Sequence, residues 1–143
     1  MTNASYIFID YENVQPKDLN LVPNVGWKVM VFLGPKQNAN HASLNAAQRL
    51  GGNCEYISVL KAGPNALDFY IAYFLGTLSR EKSQFYIISK DTGFDPLLER
   101  LNQNGILAFR CKRIADIPAL SSSKDDSFLA SGKSLLEQAV EAG

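Results

Sequence analysis

Five short, nearly continuous apolar runs punctuate the chain, and each stops at a turn or a charged residue. Residues 6–9 stop at Asp10, and residues 27–33 stop at Gly34 and Pro35. Residues 54–60 end before Lys61, residues 85–89 end before Asp91, and residues 107–111 run into Lys112 and Arg113. Runs this short and this apolar are strands buried on both faces, as in a parallel sheet covered by helices. Helical patterns occupy the gaps. Residues 42–50 form a short helix stopped by Gly51 and Gly52. Residues 65–80 carry Leu67, Ile71, Phe74 and Leu78 on one stripe, and residues 96–104 carry Leu97, Leu98 and Leu101 before Gly105. Residues 16–22 are good for a turn or two. The order βαβαβαβαβ predicts an α/β fold: a doubly wound, five-stranded, mainly parallel sheet with helices on both faces.

That pattern covers residues 1–113, and the character changes after Arg113. Residues 121–127 are polar and turn-forming, and Ser134 with Glu137 opens a last short helix through Val140 as a capping box. The expected division is therefore a domain at 1–113 and, at 114–143, a polar loop with a C-terminal helix. A chain of 143 residues closes one core. Its 14 Lys and Arg balance 14 Asp and Glu, which excludes coating nucleic acid by net charge but not a local cleft for it. The longest apolar stretch, residues 71–78, is far short of the ~20 residues that span a bilayer, so no membrane role is expected. The N-terminus has no cationic leader before an apolar run. Cys54 and Cys111 lack C-x-x-C spacing and are expected as buried free thiols in a reducing cytoplasm.

Ligands of open α/β sheets bind beyond the carboxyl ends of the strands. The first strand delivers Asp10 there, with Glu12 and Asn13 in the following loop; the second delivers Lys36, the third Lys61, the fourth Asp91. Asp68 falls in the first turn of the helix after strand three, and Asp95 follows Asp91 by one helical turn. Four acids at one rim repel one another unless a cation sits among them, and hard oxygen ligands favour Mg²⁺ or Mn²⁺. Each acid also has a structural explanation. Asp95 before Pro96 suits an N-cap, Asp68 complements a helix dipole, and Asp10 and Asp91 suit turns closing their strands. Capping explains each acid singly but not their convergence.

The strings Ile9-Asp10-Tyr11-Glu12-Asn13, Asn65-Ala66-Leu67-Asp68 and Ser89-Lys90-Asp91-Thr92-Gly93-Phe94 resemble the PIN-like superfamily, closest to NYN-type and related bacterial PIN-like domains. The resemblance runs from about Tyr6 to Arg113. It implies a five-stranded parallel sheet and a metal-dependent endoribonuclease, with Asp10, Asp68 and Asp91 matching the core acidic ligands. NYN-type domains usually carry a second Asp two residues after the one matched by Asp91. This chain has Gly93 there, and Asp95 is expected to take that role.

The catalytic and metal-ligating set expected from the sequence is thus Asp10, Asp68, Asp91 and Asp95. Asn13, Lys36, Lys61 and Ser89 are the expected substrate-binding residues, and the expected partner is single-stranded RNA. Glu12 is expected to be solvated, and His41 to sit near a helix start. Two other readings stay open. A non-catalytic PIN-like module would bind RNA or protein without cutting. A haloacid-dehalogenase-like phosphatase needs an acid, usually Asp, two residues after its nucleophile and a Ser or Thr ending strand two; this chain has Glu12 and Leu33-Gly34. The oligomeric state is open, a homodimer included.

Overall fold

Alternation of side chains along each strand sends successive residues to opposite faces, so a sheet with two covered faces needs two cores. The computed structural model, which describes residues 4–80 and 82–121, has that arrangement. Strands β1 (Ser5–Asp10), β2 (Trp27–Leu33), β3 (Cys54–Ser58), β4 (Gln84–Ile88) and β5 (Leu107–Cys111) form one sheet in the order β3-β2-β1-β4-β5. All four pairings are parallel. The helices are α1 (His41–Leu50), α2 (Ala66–Leu78) and α3 (Asp95–Gln103).

On one face, Ile7, Ile9, Val31 and Ile88 pack with Ala46 and Leu50 of α1. On the other, Phe8, Phe32, Phe85 and Ile87 pack with Leu67, Ile71 and Leu75 of α2 and Leu98 of α3. Each fully buried aliphatic side chain stabilises by roughly 1.5–3 kcal/mol, so the three α2 anchors hold that helix firmly on the sheet. Ile71 is fully buried, and truncating it to Ala would cost about 2–5 kcal/mol.

Local chemistry sets the helix ends. Asn40 caps α1 by accepting from the Ser43 N–H at 2.8 Å, and Gly51 ends it with φ 58°. The stretch 16–22 contracts to a single 3₁₀ turn at Leu19–Leu21, because Pro23 forces Val22 to extended backbone (ψ 123°). Past Arg113 the chain makes two further 3₁₀ turns, Ile114–Asp116 and Pro118–Leu120; Ile114, Leu120 and Ile117 between the turns are buried in the α1-side core. The polar stretch beyond Ser121 and the helix expected at 134–140 lie outside the described residues. No helix among the described residues is long and apolar enough to cross a membrane. Cys54 and Cys111 are free thiols, but only half-buried, because β3 and β5 are the edge strands of the sheet.

Candidate acidic site

A parallel sheet points every strand's carboxyl end the same way, so the residues just past β1 and β4 meet at one rim, where the start of α2 also lies. A pocket of about 210 Å³ opens there, lined by Asp10, Glu12, Asn13, Asn65, Asp68 and Asp91 among others. Four carboxylates face this space, and among the described residues no Lys, Arg or His lines it.

Asp10 is the floor. Its side chain is buried, and Ser89 Oγ, also buried, donates to its Oδ2 at 2.8 Å. Burial pushes the Asp10 carboxyl up to about 6; the Ser89 hydrogen bond pulls the other way, and the charges of Asp68, Asp91 and Glu12 add to the rise. Burial also raises Asp68, helped by Asp91 and Glu12. Asp91 is held by its neighbours. Its N–H donates to Ser89 Oγ at 3.0 Å, and its Oδ1 accepts from the Gly93 N–H at 2.8 Å. Asp91 is therefore both the cap of the 3₁₀ turn Thr92–Phe94 and a wall of the pocket, so capping and site roles coexist in one carboxylate.

Asn13 lines the pocket as well. Its Oδ1 accepts from the Lys90 N–H at 2.6 Å, tying the loop after β1 to the loop after β4. No hydrogen bond engages its amide nitrogen among the described residues.

Two of the expected site residues have partners that the sequence did not suggest. Asp95 does not join the other acids. The turn Thr92–Phe94 breaks the helical spacing assumed between Asp91 and Asp95, and α3 begins only at Asp95, with Phe94 as its N-cap. Asp95 pairs with Arg110 instead, at 2.8 Å, and that guanidinium holds its carboxyl below the usual range. Ser89 is fully buried beneath Asp10, where its hydroxyl donates to that acid and accepts from the Asp91 N–H. Glu12 is exposed, in keeping with a solvated side chain, and its carboxylate lines the pocket against Gly34, where an added Cβ would sit 2.2 Å from Glu12 Oε2.

Lys36 and Lys61 are exposed and do not line the pocket. Their neighbours Pro35 and Ala62 line a smaller hollow that shares Glu12 and Gly63 with it. His41 starts α1 and is exposed. Sequence reasoning also missed Tyr11, which is 1% exposed and pins the rim from below. Its OH accepts from the Asn40 N–H at 2.7 Å, and its carbonyl accepts from Gln37 Nε2 at 2.8 Å and from Gln15 Nε2. The signal in the sequence was its large ring placed directly after a buried apolar strand.

The donor set is all carboxylate oxygen, which suits a hard divalent cation. No group of three or more His, Cys, Asp or Glu side chains among the described residues is drawn together tightly enough to hold a metal ion as it stands. Burial is the main cause of the raised Asp10 and Asp68, and the like charges of their neighbours, which add to it, oppose closer approach in the absence of a cation.

Searches of curated proteins and of solved structures returned no significant match. A family model described as PIN domain matches residues 4–114, ending at the first residue after β5 and its Lys112-Arg113 exit. PIN domains are generally metal-dependent nucleases that use Mg²⁺ or Mn²⁺. The match does not single out the NYN branch and leaves the phosphatase reading without support. Carrying the five-stranded parallel sheet, the acids at its carboxyl rim and a family match over most of its length, the chain belongs to the PIN domain family.

Proposed function

We propose that this protein is a ribonuclease that hydrolyses phosphodiester bonds of single-stranded RNA, with Mg²⁺ or Mn²⁺ held by Asp10, Asp68 and Asp91. The observation that carries the reading is the pocket at the sheet's rim, where four carboxylates meet with no cationic side chain among them. When bound, the metal would polarise the phosphate and lower the pKa of a coordinated water for attack. The chain's own residues prepare that chemistry. Ser89 fixes Asp10 through Oδ2 and fixes the Asp91 backbone with the same hydroxyl, so two acids from different strands share one brace. The Gly93 N–H orients Asp91 through Oδ1. Asn13 has an amide nitrogen to donate to a phosphate oxygen. Lys36 and Lys61, beside the adjoining hollow, would meet phosphates of neighbouring nucleotides.

A second reading, a PIN-like module that binds without cutting, is favoured by one observation: the carboxylates are not gathered into a ready ligating cluster. One experiment separates the two. Purified protein is incubated with single-stranded RNA, single-stranded DNA and a phosphomonoester, with Mn²⁺ or with chelator. RNA cleavage that needs Mn²⁺ and disappears in Asp10→Asn and Asp91→Asn supports the nuclease. Chelator-insensitive cleavage, or unchanged rates in both variants, overturns it, and RNA binding without turnover leaves the module.

A further inference from the structure

Beside the acidic pocket runs a second groove, between α2 and the turn that leads into α3. Its volume is about 380 Å³, and it shares Asn65, Asp68 and Asp91 with the pocket, so it starts where the carboxylates end. Phe69 forms one wall, Leu97 another, and Gly93 leaves the space beside Asp91 open. Phe69 is 68% exposed, which is costly for a phenylalanine on a helix whose other face supplies the core. One turn further along the same face stands Tyr73, 66% exposed and about 6 Å on. Tyr73 is braced edge-to-face by Phe74 at 5.2 Å and 82°, and Phe74 in turn packs on buried Phe32 at 5.6 Å. The aromatic strip is therefore built on the core.

We propose that this groove seats an unpaired nucleobase of the substrate strand, stacked on Phe69, with Tyr73 the platform for the next base outward. The inference rests on the nuclease reading and extends it by giving the substrate's bases a site of their own. Three features point to a base. A flat, uncharged ring can lie against Asp68 and Asp91 without the repulsion that a phosphate meets there. An aromatic wall offers each base a π-face whatever its identity, so the site selects single strands without selecting sequence. The groove is also continuous with the pocket, so a base in it leaves the adjoining phosphate at the acids.

The test measures binding by fluorescence anisotropy in Mn²⁺. The probe is a labelled single-stranded 2′-O-methyl phosphorothioate oligoribonucleotide of about ten residues, within the span such sites cover. A parallel series carries one abasic residue at each position in turn. Phe69→Ala is expected to weaken binding about 5- to 150-fold, the range for losing one stacked base, while Phe69→Trp retains it. Removing one particular base should cost the parent the same factor and cost Phe69→Ala nothing further. The proposal is overturned if the parent does not bind the probe, if Phe69→Ala binds as tightly, or if its loss is the same on every abasic probe. Sedimentation covers one more outcome: a parent dimer that Phe69→Ala dissociates would give the groove to a second copy and overturn it. Cleavage of unmodified RNA is followed alongside. A parent that cuts while Phe69→Ala binds normally loses only the base site. A parent that binds through Phe69 and never cuts keeps the base site and loses the nuclease.

Discussion

Ser89 donates its hydroxyl to Asp10 across 2.8 Å, joining residues 79 positions apart at the ends of neighbouring strands. A hydroxyl donating to a carboxylate favours its charged form, so this bond opposes the burial that pushes Asp10 up to about 6. Ser89→Ala should therefore raise the Asp10 pKa further. The pH at which Mn²⁺ begins to stabilise the protein should move upward, because the proton then competes more strongly for the ligand. Thermal melts with and without Mn²⁺ across the acid range check this. An unmoved onset would remove Ser89 from the site.

The Asp10 titration itself predicts how the metal-free protein responds to pH. Its folded value of about 6 lies above the unfolded value of ~3.9, so between the two the folded state binds the extra proton. The favourable contribution is complete below pH ~4 and is lost as pH rises through ~6. Asp68 is raised too and acts in the same direction. Asp10→Asn removes the step, so its stability relative to the parent should grow from about pH 4 to about pH 6 and then level off. Mn²⁺ should raise the melting temperature of the parent at neutral pH and leave that of the variant unmoved. Denaturant midpoints in metal-free buffer at several pH values decide it.

Asp95 gives the contrasting case. Its carboxylate is taken by Arg110 at the surface, at 2.8 Å with the aspartate side chain half-exposed. Asp95→Asn should cost no more than about 1 kcal/mol of stability. It should leave the Mn²⁺-dependent melting shift intact, whereas Asp91→Asn abolishes that shift. Loss of the metal response in Asp95→Asn would return it to the acidic set.

Gly93 leaves room for the Asp91 carboxylate, and any side chain placed there has to displace it. A Cβ there would lie 2.9 Å from Asp91 Oδ1, the oxygen that the Gly93 N–H holds. Gly93→Ala should push the Asp91 carboxylate aside and weaken the Mn²⁺-dependent stabilisation, and Gly93→Asp should weaken it more by adding like charge. Calorimetric Mn²⁺ titration of both variants measures the order. Tighter binding in Gly93→Asp would show that the carboxylate had room to move.

Most of the architecture could be read from residue order. β2 and β5 have the bounds expected of residues 27–33 and 107–111, and the helices differ by a residue or two at their ends. Period and punctuation carry that information locally. The two 3₁₀ turns after Arg113 were missed, although Ile114, Ile117 and Leu120 repeat every three residues, the period of a 3₁₀ helix. Asp10, Asp68 and Asp91 were legible because strand ends and a first helical turn share one edge. The partners of Asp95 and Ser89 were not legible for one reason: which way a side chain faces depends on residues far along the chain. Arg110 claims the first and Asp10 the second.

The sheet order β3-β2-β1-β4-β5 has a consequence for a chain emerging from the ribosome. β1 is the central strand, and its residues from Tyr6 to Ile9 are nearly or fully buried in the finished protein. Its first neighbour, β2, is complete by Leu33, but its second, β4, begins only at Gln84. While the intervening residues are being made, one edge of this central strand stays unpaired, open to any extended segment nearby. The acids cannot assemble in that interval either, because Asp91 and the serine that braces Asp10 both follow β4. The nascent chain is thus most prone to misassociation during the same stretch of synthesis in which it can have no acidic site.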